Sequence, residues 1–388
     1  MIVCVLIPRF ELAVAAGGRH GLATGPVALA PEPGREQLIG EVSAAAEVAG
    51  VHPGMRLGEA LARCARLMLV SPDPVGVADA WEAVLVRLEH IGAAVEPGVR
   101  PGSVCFAADG LERLHRGDVV GAVRRALGVP ARVGQGPSRF CAQVAAATAR
   151  SRRTGVVAGA EDLAAHPVAL LRRRPEVAAL VEPLEQLGIG TLGALAGLPA
   201  GVVADRFGKP GLLARALARG KDDPLRPRVA GETLRETLEL EESASGAQLH
   251  KALELLIDRV LARRERRGRT LRAVVLSARL VEGGSWHERV VFREALADAQ
   301  RMRLALSGRL ALLPSPADAL RLTAERFGPP HRPSETLFED GTTERRARLR
   351  EAVRQARAAA GPDAALRVLA VDPDSRVPER RAVLTPFE

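Results

Sequence analysis

The sequence predicts a multidomain α+β protein, and three observations support that fold class. First, 388 residues exceed one ordinary domain, so two to four compact units are expected. Second, hydrophobic residues make up 47% of the chain, which is enough for a sizeable core. Third, short apolar runs typical of buried strands alternate with amphipathic segments typical of helices. This order predicts sheets with helices on one face.

The first part of the chain predicts one sheet with a helical insertion at about 17–69. The predicted strands are Ile2–Ile7, Leu67–Val70, Ser103–Ala107 and Ala131–Gly134. The predicted helices are Glu36–Ala49, Arg56–Ala65, Val77–Ile91, Arg116–Leu127 and Ser138–Ala149. Gly and Pro residues separate many of these segments, as expected of turns.

The second part predicts a helical region, a linker and another α+β unit. Residues 161–225 have helical character, and 221–228 form a charged linker that contains prolines. The helices predicted beyond it are Ala247–Arg267 and Asp298–Ala311, and the strands are Thr270–Val281, His287–Phe292 and Ala319–Arg326. A tail from His331 contains one more predicted helix, Thr343–Ala360.

Charge and cysteine usage bound the function. A net charge of +9 favours a polyanionic partner, nucleic acid before an anionic membrane, although the composition of a GC-rich genome would also raise the arginine count. The four cysteines have no CxxC spacing, which predicts buried thiols and neither a metal-ligand nor a disulfide framework. We expect no cofactor. Without a targeting segment or a run of 18 apolar residues, we expect a cytoplasmic protein with no membrane partner.

The strongest local motif is the segment 182–199, EPLEQLGIGTLGALAGLP. Its spacing predicts two short helices joined by Gly188, Ile189 and Gly190, with Thr191 opening the second helix, which is the helix-hairpin-helix pattern. The glycines allow the backbone to approach a phosphate, and the N–H groups that begin a helix favour an anion. An ordinary turn between two helices is the alternative.

A basic run lies at the predicted end of the helix Ala247–Arg267. Its members are Arg263, Arg264, Arg266, Arg267 and Arg269. Guanidinium groups bind phosphate oxygens and release counterions, so the run predicts salt-sensitive DNA binding. Cations also stabilise a helix C-terminus in solvent, and that role is the alternative.

The order of these features resembles the Y-family (translesion) DNA polymerases over about residues 1–330. The segments that carry the resemblance are 41–74, 104–117, 131–149, 182–199 and 271–292. The resemblance implies a right-hand, polymerase-like fold. It assigns 1–160 to a palm with a fingers insertion at about 18–69, 161–230 to a helix-hairpin-helix thumb with its linker, 231–330 to an α+β little-finger domain, and 331–388 to a C-terminal interaction tail.

The chain departs from the family pattern where metal ligands are expected. The resemblance implies three carboxylates around two Mg²⁺ ions and places them at Ile7, Ala107 and Ala108, none of which is acidic. Arg9 adds a positive charge nearby. We therefore expect no metal site at these positions and a chain that is not an enzyme. The alternative is an active translesion polymerase whose acidic site has moved to Asp109, with Glu11 or Glu112 as its companion.

The expected nucleotide pocket departs from the pattern as well. The family's triphosphate-binding Tyr and Arg fall at Ala44 and Glu47, and the aromatic residue that screens the sugar falls at Leu12. Arg139 and Arg150 remain basic and are candidates for contact with DNA or phosphate.

Within the family, these departures and the tail most resemble the ImuB type. That resemblance implies a scaffold in damage-induced mutagenesis, the mutasome, which binds primer-template or damaged DNA near the nucleoid. Its implied partners are a sliding clamp, an error-prone C-family polymerase and a RecA-like accessory protein. Leu337 and Phe338 are the candidate clamp-binding pair, although the Gln that usual clamp peptides carry is missing. A third interpretation is a hairpin-motif DNA-binding protein outside lesion bypass.

Overall fold

The described residues of the computed structural model begin with a buried strand, β1 (Ile2–Leu6), whose central side chains are fully enclosed. The model describes residues 1–18, 21–22, 25–32, 36–150, 153–229, 231–244 and 246–330, and then 349, 352–353, 356, 364, 366–371, 374 and 376–386. The chain divides into two compact units, Met1–Pro329 and Pro330–Glu388. The finer domain boundaries stay predictions.

β1 is the central strand of the first sheet. The next elements in chain order are α1 (Phe10–Ala15), β2 (Val27–Leu29), α2 (Ala44–Val48), α3 (Leu57–Arg63), β3 (Met68–Val70), α4 (Pro74–His90), β4 (Val95–Pro97), β5 (Ser103–Ala107), α5 (Leu111–Leu114), α6 (Val119–Leu127), β6 (Arg132–Gly136), α7 (Arg139–Thr148) and β7 (Thr154–Val156). The sheet order is β4-β5-β1-β6-β7, and β1 pairs antiparallel with both neighbours.

Helices cover both faces of this sheet. On one face, Val3 and Val5 of β1 pack with Trp81 and Leu85 of α4 and with α6. On the other face, Cys4 packs against small residues of α7. The expectation of helices on a single face is therefore wrong here, because the alternating side chains of β1 are apolar on both sides.

Glycines allow α7 to lie directly on the sheet. A Cβ atom added to Gly134 of β6 would lie 2.1 Å from the backbone nitrogen of Ala146 and 2.3 Å from the carbonyl oxygen of Ala142. At Gly155 of β7 it would lie 2.2 Å from the carbonyl oxygen of Ala145. We call this contact the glycine seam. Its backbones pack without an intervening side chain.

The insertion between β1 and α4 is not wholly helical. β2 and β3 pair in parallel, and Leu38 and Val42 make isolated bridges to Arg56 and Ala28. Of the predicted helix Glu36–Ala49, only α2 is helical. It begins after Ser43, and the Ser43 hydroxyl caps it by accepting a hydrogen bond from the Ala46 N–H. Bridges to distant residues replace the helix before that cap.

A helical region follows the first sheet. It comprises α8 (Ala160–Ala164), a 3₁₀ turn (Val168–Arg173), α9 (Pro175–Ala178), α10 (Val181–Gln186), α11 (Leu192–Gly197) and α12 (Ala200–Ala218). The backbone inside α12 is kinked at Gly208, before Pro210. The apolar faces of the helices of this region share one core with Phe140 and Val144 of α7.

The second sheet has the order β10-β9-β11-β8. Its elements are β8 (Leu234–Ala244), α13 (Ala247–Ala262), β9 (Arg269–Leu280), β10 (Ser285–Leu296), α14 (Ala299–Leu310) and β11 (Ala317–Pro330). Leu253 of α13 and Leu306 of α14 share one core with Leu276 and Leu322 of the sheet. Alternation along the strands places Ser277, Thr237 and Arg321 on the opposite face. We call it the helix-free face because α13 and α14, the helices of this unit, do not cover it.

The second unit contains a two-stranded sheet. β12 (Leu366–Ala370) and β13 (Ala382–Pro386) pair antiparallel, and α15 (Pro378–Arg381) precedes β13. Most of the predicted helix Thr343–Ala360 lies outside the described residues. In the described part of the chain, no helix is long and apolar enough to cross a membrane.

Candidate nucleic-acid interface

Ile7 lies at the end of β1 and points into the core. Its N–H donates a hydrogen bond of 2.7 Å to the carbonyl oxygen of Gly102, just before β5. Its side chain is 9% exposed and packs with Val5 and Phe10. Ile7 therefore lies beside the first residues of β5.

Ala107 and Ala108 lie at the opposite end of β5. Ala107 pairs with Ile2, and the Ala108 N–H donates to the carbonyl oxygen of Met1 at 2.7 Å. Five residues of extended strand separate this end from Ile7, a length of roughly 16 Å. The structure thus does not bring together the three positions that the sequence assigned to one metal site. The antiparallel register is the reason.

Neither end of β5 offers a set of metal ligands. The described residues contain no group of three or more His, Cys, Asp or Glu side chains that could hold a metal ion. Asp109 accepts a 3.0 Å hydrogen bond from the Met1 amino group, and its side chain is 81% exposed. It lies at the end of β5 away from Ile7, and Glu11 follows Ile7 on α1, so these two carboxylates do not form a pair. The donor set does not fit the Mg²⁺ pair that the resemblance implies.

Arg9 joins the end of β1 to the insertion. Its backbone is left-handed (φ 55°), and its guanidinium donates to the Val42 carbonyl oxygen at 2.7 Å and to a Glu47 carboxylate oxygen at 2.5 Å. Ala44 opens the same short helix, α2. The positive charge that was expected to oppose a metal ion is thus paired with Glu47.

A cavity of about 580 Å³ lies beside this junction. Glu11, Glu36 and Arg100 are among its lining residues, so its charged lining is mostly acidic. Behind it, Glu41 accepts a 3.0 Å hydrogen bond from the N–H of the buried Leu12. Burial raises the pKa of Glu41 above its ordinary value, against the opposing effect of that hydrogen bond.

The segment 188–191 forms the predicted hairpin. Gly188 has φ 77° and lies just beyond the end of α10, with its N–H bonded to the Glu185 carbonyl oxygen. The Thr191 hydroxyl caps α11 by accepting from the Ala194 N–H at 3.2 Å, and Ile189 packs partly buried in the helical core. Gly190 has open space where a Cβ would lie. The hairpin geometry is present, and its role in DNA binding stays a prediction.

The arginine run divides into two groups. Arg266 donates to the carbonyl oxygens of Leu261 and Arg269, and Arg269 lies 4.2 Å over the Phe327 ring and pairs with Glu232. These two side chains hold the loop together. The predicted helix ends at Ala262, because Arg263 is extended and the next residues form a 3₁₀ turn.

The other members of the run point outward. Arg263 is exposed and pairs with Glu236 and Glu265. Arg264 and Arg267 are exposed, and their side chains have no hydrogen bond or ion pair within the part of the chain that the structure describes. Those two are the members best placed to bind an external phosphate.

Other predicted positions lie elsewhere. Arg139 is an internal structural residue, because it pairs with Glu96 and Asp222. Arg150 is exposed at the end of α7. Leu337 and Phe338, the candidate clamp-binding pair, lie outside the described residues.

The sequence analysis missed basic residues on the helix-free face of the second sheet. Arg289 of β10 pairs there with Glu325 of β11, and Arg279 of β9 pairs with Glu239 of β8 and with Asp318 of β11. Their signal is the period-two alternation of polar residues within β9 and β10, which appears only once both strands are recognised at full length.

The sequence and the fold of this chain are similar to those of known DNA polymerases. Residues 6–147 match the model of the impB/mucB/samB family. Two DNA polymerase IV sequences of Dehalococcoides mccartyi are 26% and 25% identical over 295 and 334 residues, covering 72% and 83% of this chain and 74% and 85% of theirs. DNA polymerase IV of Caulobacter vibrioides is 24% identical over 233 residues, 57% of this chain and 56% of that one.

Among solved structures, the Dbh ternary complex covers 84% of this chain and 100% of its own, with a TM-score of 0.50 and 12% identity. The chain has the fold of a Y-family DNA polymerase. Its architecture is accordingly that of a palm, fingers, thumb and little finger, and the predicted fold class is confirmed.

The expectation that this chain is not an enzyme is contradicted by its relatives. All the curated relatives named above are DNA polymerase IV, an enzyme. The expectation rested on Ile7, Ala107 and Ala108 marking one emptied site, and these positions lie at two ends of the palm sheet. The ImuB-type assignment stays a prediction.

Proposed function

We propose that this chain binds primer-template DNA and takes part in translesion DNA synthesis. The family match over 6–147, together with the Y-family fold, is the observation that carries the proposal. The thumb hairpin at 188–191 and the exposed Arg264 and Arg267 are the proposed DNA contacts. The N–H groups of Gly188 and Ile189 bond within the hairpin, so Gly190 and Thr191 are the residues whose N–H groups would face phosphate, together with the two exposed guanidinium groups.

Such contacts position DNA without reading its sequence. Affinity should therefore be nearly independent of base sequence and should fall as salt rises, since each neutralised phosphate releases a counterion. Fluorescence anisotropy with a labelled primer-template at several NaCl concentrations measures both properties. A flat salt dependence would contradict phosphate binding.

A second candidate function is primer extension by the chain itself, which the name of its relatives favours. The assay is primer extension with Mg²⁺ and with Mn²⁺, on protein shown in the same tube to bind the primer-template. Extension abolished by Asp109→Ala, but kept by the exposed control Asp205→Ala, would assign the acidic site to Asp109. Bound protein that extends no primer contradicts this second function and leaves the first intact.

We also propose the protein partners that the ImuB-type resemblance implies: a sliding clamp, an error-prone C-family polymerase and a RecA-like accessory protein. Leu337 and Phe338 are the proposed clamp contacts. Surface plasmon resonance on immobilised clamp should show binding that a Leu337→Ala, Phe338→Ala variant loses. Equal binding by the variant would remove these two residues from the proposal.

A further inference from the structure

The helix-free face of the little-finger sheet lies against helix α4 of the palm. Asp79 of α4 accepts a hydrogen bond from Arg321 of β11 at 2.5 Å and forms an ion pair with Arg235 of β8 at 2.9 Å. Arg321 is paired with Thr237 across the sheet, and Arg235 lies two residues before Thr237 on β8. Both arginines therefore lie on the same face as Thr237, which α13 and α14 leave uncovered. One palm carboxylate therefore holds two guanidinium groups of that face.

The turn between β9 and β10 forms a second contact with the palm. Ser285 donates its backbone N–H to Pro72 at 3.2 Å and its hydroxyl to Asp73 at 2.6 Å, and that hydroxyl accepts the Val75 N–H at 2.9 Å. A Cβ atom added to Gly284 would lie 2.5 Å from the Pro72 carbonyl oxygen, so the turn fits closely.

The linker between thumb and little finger extends the same contact. Arg228 forms hydrogen bonds of 2.6–3.0 Å with Glu82 and Glu89, two further carboxylates of α4, and its N–H donates to Val95. Between the sheet and α4 remains a cavity of about 300 Å³, lined by Asp73, Asp79 and polar groups of the sheet. The contact is thus polar and incompletely packed, and polar contacts of this kind open more readily than an apolar core.

We propose that this contact is an intramolecular latch. Asp79 binds Arg235 and Arg321 in the way that an external anion would, and so keeps the helix-free face of the little finger packed against α4. A phosphate group presents the same charge and acceptor oxygens to arginine as a carboxylate does. A polyanion therefore competes with Asp79 for the two side chains. Asp79 is 32% exposed, which leaves it open to that competition. The identity of the polyanion as DNA rests on the proposed function.

The closed state is tested on the full chain without DNA. Hydrogen exchange followed by mass spectrometry reports on peptides that contain Ser285 and Val75. We expect Asp79→Asn to speed their exchange roughly fivefold to tenfold, because both ion pairs are lost. Asp258→Asn, an exposed residue of α13 for which the described chain shows no side-chain partner, is the matched control and should leave exchange unchanged. Unchanged exchange in a folded Asp79→Asn protein would overturn the latch.

The DNA measurement separates the latch from the proposed function. Arg321→Gln should open the contact as Asp79→Asn does, but it removes a group that binds phosphate. We therefore expect DNA affinity to rise about threefold or more in Asp79→Asn and not to rise in Arg321→Gln. Faster exchange in both variants without DNA binding in any protein supports the latch and contradicts the proposed function. Higher affinity in both variants would overturn the competition between Asp79 and phosphate.

Discussion

Arginines in two regions of this protein differ in what holds them. At the junction of palm and thumb, Arg174 and Arg139 bind Asp222, whose side chain is 1% exposed. In the little-finger loop, Arg264 and Arg267 are exposed and their side chains have no partner within the described chain. An arginine that a buried carboxylate of the same chain holds is therefore a poor candidate for DNA binding.

The largest effect should follow loss of the junction carboxylate. Asp222→Ala leaves two guanidinium groups without their shared partner and removes the acceptor of the Phe140 N–H. Breaking a buried pair typically costs about 3–5 kcal/mol, and we expect that loss in the free energy of unfolding. Urea denaturation measures it. Asp223→Ala, its exposed neighbour, should cost less than about 0.5 kcal/mol, and equal losses in both variants would remove the contrast.

Within the arginine run, Arg266 should contribute to stability, as Arg139 and Arg174 do at the junction of palm and thumb. Arg266→Gln loses the donors that reach the Leu261 and Arg269 carbonyl oxygens, so we expect about 1–2 kcal/mol of destabilisation. Arg264→Gln should be nearly neutral by the same urea measurement. A neutral Arg266→Gln would show that the loop does not depend on these bonds.

Acid should weaken the linker contact. The hydrogen bond from Arg228 lowers the pKa of Glu89 below its ordinary value of 4.5. A carboxyl group with a lowered pKa stabilises the fold above its unfolded-state pKa, and this contribution disappears as pH falls through the folded-state value. Glu89→Gln should thus be about 1 kcal/mol less stable at pH 7, and the difference should shrink below about pH 4.5. Thermal unfolding against pH measures it, with Glu112→Gln as the exposed control; a pH-independent difference would contradict this assignment.

The smallest effect on stability, and the clearest effect on DNA binding, is expected of the two exposed arginines of the loop. Arg264→Gln and Arg267→Gln should each reduce the slope of log affinity against log salt by about 0.9, because one phosphate contact is lost. Arg113→Gln, an exposed palm arginine, should leave the slope unchanged. If all three variants share the wild-type slope, the loop does not contact DNA phosphate.

Much of the fold could be predicted because its signals are local. The apolar run Ser103–Ala107 is a strand with the predicted bounds, and the ends of α4 and α7 lie within three residues and one residue of the predicted ones. β8 was missed because Glu236 interrupts the apolar alternation of Leu234, Leu238 and Leu240, and pairing with β11 decides its conformation.

The site was harder to predict because its geometry depends on distant pairing. Ala107 looked like a neighbour of Ile7 until the register placed it beside Ile2. Asp222 looked like part of a solvated linker, and only the fold shows that it is buried between two arginines. Neither fact follows from spacing along the chain.

The glycine seam has a consequence for how this sequence can change. At Gly134, even a methyl group would overlap the backbone of α7, and no rotamer can avoid an overlap that begins at Cβ. In a library of random substitutions, we therefore expect this position to accept almost nothing, while Arg264 and Arg267 accept many residues in a selection for folding alone. Mutational tolerance would then separate the framework of the protein from its surface without any functional assay.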